Sequence, residues 1–129
     1  MNSNLQSVLE KSVFYVNSKE ITSDGIPWHP HPQFKGVFMK DIITGKDTDN
    51  RMSCHYVLLE PDSVISEHAH STQYEIHDVL CGSGKSVVQG FQVRYNSKIT
   101  ANIPEGTLHE VRASHEGLLL KCTFFPALK

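Results

Sequence analysis

Two stretches decide the reading: His68-Ala69-His70-Ser71-Thr72-Gln73-Tyr74-Glu75 and, further along, Pro104-Glu105-Gly106-Thr107-Leu108-His109. On an extended strand, residues i and i+2 face the same way, so His68 and His70 present two imidazoles side by side. Glu75 opens the next strand, and a hairpin over residues 71–73 would fold it back beside the pair. His109 follows the turn at 104–106. In residues 108–115 the charges Glu110 and Arg112 fall on even positions, so alternation turns His109 and Val111 inward. Three imidazoles and one carboxylate suit Mn²⁺, Fe²⁺, Ni²⁺, Co²⁺ or Zn²⁺, and leave coordination positions for water or substrate.

Outward from these stretches, short strands are expected at 12–16, 34–40, 52–60, 64–70, 74–80, 86–95, 99–103, 108–114 and 118–125. Their separators are Pro61-Asp62, Ser71-Thr72, Gly82-Ser83-Gly84, Asn96-Ser97, Pro104-Glu105-Gly106 and Glu116-Gly117, with a polar loop over 44–50. Val87, Phe91, Val93 and Tyr95 are expected on one face, against Ser86, Gln92 and Arg94. Leu5, Val8 and Leu9 make one weak amphipathic turn. Residues 23–27 form a turn cluster, and Trp28-His29-Pro30-His31-Pro32 is extended, without ladder donors at the two prolines. Many short strands with regular turn signals mean an all-β sandwich or barrel.

The 129 residues fit one domain, and a formal charge of −2 offers no basic excess for nucleic acid or anionic lipid. No apolar run approaches the ~20 residues of a membrane span. Residues 1–11 lack the basic start and apolar run of a secretory signal. Cys54, Cys81 and Cys122 are odd in number and widely spaced, so a reducing, cytoplasmic setting is expected, with the three as small core residues.

The spacing His68-x-His70-x₄-Glu75-x₆-Gly82, then Pro104-x-Gly106-x₂-His109, resembles the two motifs of the cupin superfamily, in order and over most of the chain. Val79-Leu80-x-Gly82-x-Gly84 resembles the hairpin between them. The resemblance implies a double-stranded β-helix, the cupin jelly-roll barrel, spanning 33–129. Residues 1–32 would be an extension carrying a strand and an edge segment. It also implies one divalent transition metal (Fe, Mn, Ni or Zn) held inside by His68, His70, Glu75 and His109. Asp62 and Lys98 stand where the motifs usually begin with Gly, and Ala113 replaces the usual Asn. None of the three is a ligand. The segment from Trp28 to Val37 is similar to the opening of a cupin branch containing zinc-binding anti-sigma factors and small diketone-cleaving dioxygenases.

His77 shares the parity of Glu75 and is expected to face inward. It is either the acid–base residue above the metal or a neutral buried imidazole satisfied by a hydroxyl or carbonyl. His29 and His31 read as a second metal site, a lid, or an extended segment packing Trp28. Gly82-Ser83-Gly84-Lys85-Ser86 resembles the end of a phosphate loop, but Val79 and the Val87-Val88 strand make it a turn. The expected activity is that of a metalloenzyme on a small oxygenated metabolite, dioxygenase-like or an isomerase or lyase. The alternatives are a non-catalytic sensor or binding module for a small ligand and a metal-free barrel. A homodimer is expected.

Overall fold

The computed structural model describes residues 3–128. A short helix α1 (Ser3–Ser7) precedes ten strands. These are β1 (Val13–Val16), β2 (Lys19–Thr22), β3 (His29–Pro30), β4 (Val37–Ile43), β5 (Ser53–Leu59), β6 (Val64–His68), β7 (Tyr74–Val88), β8 (Phe91–Asn96), β9 (Thr100–Ile103) and β10 (His109–Phe125). β1 and β2 form a separate hairpin, and the other eight run in the order β3-β4-β5-β10-β7-β8, with β6 on β10 and β9 on β7.

β7 and β10 are long enough to serve both walls of a barrel. Residues 118–124 of β10 lie between β5 and the first half of β7, while residues 109–113 lie between β6 and the second half. The register breaks between Ala113 and Leu118, where four residues of β10 face one of β7. Such an unequal count bends the pair and lets each strand pass from one wall to the other. Two glycines make the bend possible. A Cβ at Gly82 would meet the carbonyl oxygen of Gly117, and one at Gly84 would meet that of Arg112. The result is the jelly roll expected from the sequence.

Several expected boundaries move. Gly82-Ser83-Gly84 and Glu116-Gly117 are not turns; both lie inside long strands, because their glycines serve close strand contact rather than chain reversal. The reversal sits at Gln89-Gly90, both at positive φ (48° and 80°), the geometry of a two-residue hairpin. A two-residue turn exchanges parity across the hairpin. Ser86 therefore pairs with Val93 and is fully buried, while Val87 pairs with Gln92. Phe91, at the tip, stays 71% exposed. The strand expected at 34–40 runs from Val37 to Ile43, because Phe34 to Gly36 turn, with Gly36 at φ 79°. β2 was not expected. Asp62 and Lys98 take the left-handed conformation themselves, at φ 64° and 75°, in place of glycine. Each costs about 1–2 kcal/mol relative to a relaxed backbone.

Alternation puts one core inside the barrel, around Val37, Met39, Val57, Leu59, Val111 and Leu120. A second core lies outside, where Leu5 and Leu9 cover Leu58 and Leu119, both 0% exposed. Burying each such leucine contributes about 1.5–3 kcal/mol. Lys40 points into this outer layer. Its ammonium donates to the carbonyl and hydroxyl of Ser23 at 2.7 and 2.9 Å and sits over the Trp28 ring at 5.0 Å. Burial lowers its pKa, with Asp24 opposing. β3 adds to the edge of β4, with His29 opposite Met39, so the proline-rich segment covers a sheet edge of its own chain.

Candidate metal centre

The barrel interior brings His68, His70, Glu75 and His109 together. His68 ends β6 and lies opposite His109, the first residue of β10. His70 lies beyond the end of β6, in the connection to β7, rather than on a strand as the spacing argument assumed. That connection is not a hairpin. β6 pairs with β10, not β7, so residues 69–73 cross from one wall of the barrel to the other. The crossing sets Glu75 facing the histidines instead of beside them. The imidazole rings of His68 and His109 are 4.3 Å apart, and those of His68 and His70 are 4.9 Å apart and perpendicular. One ring nitrogen from each of the three histidines lies within 4.8 Å of the others.

Hydrogen bonds behind the cluster set which atoms face inward. His68 donates Nδ1–H to the Ser66 carbonyl at 2.8 Å, and His109 donates Nδ1–H to the Thr107 carbonyl at 2.9 Å. Both rings therefore turn Nε2 toward the centre. Glu75 is 5% exposed. Its Oε1 accepts Nε2–H of His77 at 2.6 Å, and the other nitrogen of His77 accepts the Tyr95 hydroxyl at 2.8 Å. Its Oε2 accepts nothing. It lies 3.4 Å from His109 Nε2 and 3.6 Å from His70 Nε2, and His109 Nε2 also lacks a hydrogen-bond partner among the described residues. Neither buried atom makes a hydrogen bond, and a 3.4 Å charge contact between them is a poor substitute, which is costly unless something satisfies both more closely. Their spacing is close to that of neighbouring ligands each about 2.0–2.2 Å from one ion, so the donor set fits a divalent metal.

The protonation of the cluster follows from its burial and charges. Burial alone would raise the Glu75 pKa, but His77 and His109 outweigh it and hold the carboxyl well below the usual carboxylate range. Burial lowers the pKa of His68 and His70. His109 moves the other way: burial opposes, but Glu75 and the Thr107 carbonyl prevail and raise it. Burial pushes Tyr95 up to about 12, so its phenol stays a donor to His77.

No family model and no curated protein matches the chain. Solved structures do. The predicted oxalate decarboxylase of Thermotoga maritima aligns over 84% of this chain and 98% of its own, with a TM-score of 0.75 at 19% identity. An RmlC-like cupin from Shewanella frigidimarina aligns over 84% and 91%, with a TM-score of 0.74 at 14% identity. The chain has the cupin fold. A third similar structure is the oxalate decarboxylase of Bacillus subtilis, described with Mn(II) centres. It aligns over 84% of this chain and 29% of its own, with a TM-score of 0.70 at 16% identity.

A cavity of about 80 Å³ opens on the cluster. His31, not assigned to the centre by spacing, lines it, with Phe34 packed between His31 and His68. The Nδ1 of His31 accepts the amides of Gln33 and Phe34 at 3.0 and 3.4 Å. Cys122 is not merely a small core residue, since its sulfur lies within 4.8 Å of a donor atom of both Glu75 and His77. Burial pushes the thiol well above its ordinary range, so it stays protonated. His29 is not in the cavity lining; it donates Nε2–H to Asp41 at 2.9 Å, and Asp41 also accepts from His55 at 2.6 Å. The signal for that network was present in the sequence. Asp41 and His55 share strand faces with Met39 and Val57, and charged or polar residues on an apolar face call for a partner.

Proposed function

We propose that this cupin holds one divalent transition metal ion with His68, His70, Glu75 and His109, and acts through it on a small oxygenated metabolite. The observation that carries the reading is the pair of orphaned atoms, Glu75 Oε2 and His109 Nε2, buried 3.4 Å apart beside His70. The manganese centres described for the Bacillus subtilis structure support a metal in a barrel of this shape. A bound metal of this kind supplies a Lewis acid for a chelating ligand or, as iron, a place for dioxygen chemistry.

The chain's own residues set the surroundings. Glu75 brings a negative charge already free of its proton, and His68 and His70 bring neutral rings. The apolar walls of Phe34, Ile65 and Leu120 leave room for few waters, which strengthens the electrostatic contacts inside. His77 is engaged at both nitrogens, which favours a positioning role for it: it holds Glu75 Oε1 and so aims Oε2. Acid–base work by His77 would require it to release Tyr95 or Glu75.

Elemental analysis of the purified protein beside His68→Ala tests the proposal. About one equivalent of iron, manganese, nickel or zinc, lost in the variant, is expected. No metal in either protein, after growth and purification with each ion supplied, would overturn it. We further propose a homodimer, which light scattering at micromolar concentration checks; a monomer there refutes it.

A further inference from the structure

The cavity is small. About 80 Å³ is room for only a few waters. One of its walls is Leu128, which follows the end of β10 in the segment 126–128. That segment is tied down along its length. Ala127 donates its N–H to the Asn50 carbonyl at 3.1 Å, and Leu128 donates its N–H to Ser53 Oγ at 2.8 Å. Gln73 donates Nε2–H to the carbonyls of Pro126 and Ala127 at 3.1 and 2.7 Å. Gln73 belongs to the crossing that carries His70 and leads into Glu75 on β7, so the strap is fastened directly to the loop of the candidate metal centre.

Ser53 belongs to a longer chain of contacts. Its hydroxyl donates to His55 Nε2 at 2.8 Å, and His55 Nδ1–H donates to Asp41 Oδ1 at 2.6 Å. The order Ser–His–Asp is that of a hydrolytic nucleophile. Ser53 is 0% exposed, however, and its oxygen is taken by the Leu128 amide. The geometry is that of a clasp, with His55 and Asp41 holding the hydroxyl in place.

We propose that Leu128 is the specificity-determining residue of the cavity: the strap, fastened by Ser53 and Gln73, limits ligands to those of a few non-hydrogen atoms. The proposal rests on the cavity being the ligand site, and two measurements separate its failure from that of the metal reading.

The first needs no metal. Cys122 lines the same cavity, whereas Cys54 is buried on the opposite face of β5. Both are labelled in the apoprotein with methyl methanethiosulfonate and with the bulkier N-ethylmaleimide, and the sites are read by peptide mass spectrometry. In Leu128→Ala, labelling of Cys122 is expected to rise by about tenfold or more, most for the bulkier reagent, with Cys54 unchanged. Gln73→Ala is expected to act in the same direction. Unchanged Cys122 rates in both variants, or Cys54 rising in step, would overturn the proposal. The second measurement titrates cobalt-loaded protein with formate, acetate, pivalate and benzoate and follows the visible spectrum. Affinity is expected to fall with size in the wild type and to recover for benzoate in Leu128→Ala. Equal affinity for formate and benzoate in the wild type would defeat the size limit. Failure to take up cobalt counts against the metal reading alone, and the labelling result still decides the role of Leu128.

Discussion

Replacing His77 with phenylalanine is expected to destabilise the metal-free protein by about 2–3 kcal/mol, the cost of leaving a buried charged acceptor without its donor. The ring is retained in shape, so the loss is electrostatic rather than a cavity. Glu75 Oε1 loses the 2.6 Å hydrogen bond that now satisfies it, and Oε2 has none to begin with. The Tyr95 hydroxyl loses its His77 acceptor on the far side. The same substitution frees the carboxylate to rotate, and metal affinity is expected to fall by about 10–100-fold, as for other groups that orient a ligand. Urea unfolding of the apoprotein and competition with a chelator measure the two effects separately. Tyr95→Phe removes only the outer hydrogen bond, so it is expected to cost about 1 kcal/mol and to leave affinity nearly unchanged. An unchanged unfolding midpoint in His77→Phe would mean that Glu75 does not depend on His77 and would remove the positioning role.

His77 also shows what the sequence could and could not reveal. Period-two alternation placed it on the face of Glu75, and the structure buries both, at 2% and 5% exposure. The same rule turned His109 and Val111 inward, and both are buried. Alternation is local, so it survives ignorance of the fold. Pairing is not local. Nothing in Ser71-Thr72-Gln73 distinguishes a tight hairpin from a crossing between walls, because both want the same polar turn residues. Glycine misled in a related way. At Gly82 and Gly84 the missing Cβ serves close contact between β7 and β10, and at Gly117 close contact with the Leu59 carbonyl of β5, which depends on residues almost thirty or more positions away. The real reversal at Gln89-Gly90 lacks the Asn or Asp that usually marks it. The strap was illegible for the same reason: Gln73 and Ser53 meet residues 126–128 only after the barrel has closed.

Metal uptake by this protein is expected to release about one proton per ion between pH 6.5 and the higher pKa of His109, and to tighten as pH rises through that window. Glu75 has already lost its proton there, since its carboxyl is held well below the usual range. His68 and His70, lowered by burial, are also neutral above pH 6.5. Only His109 is raised, so it alone must give up a proton from Nε2 before that atom can ligate. The sign for stability is the reverse. A histidine with a raised folded-state pKa stabilises fully below its unfolded value, about 6.5, and that contribution is lost as pH climbs through the folded value. The apoprotein therefore loses stability over the window in which metal binding gains strength, and the difference between the two forms widens toward alkaline pH. Calorimetric titration in buffers of different ionisation enthalpy counts the proton, and thermal melts of both forms follow the widening. A second proton released above pH 6.5 would place another protonated group in the centre. No proton at all would mean that His109 is neutral in the apoprotein, and that the 3.4 Å contact with Glu75 is not an ion pair.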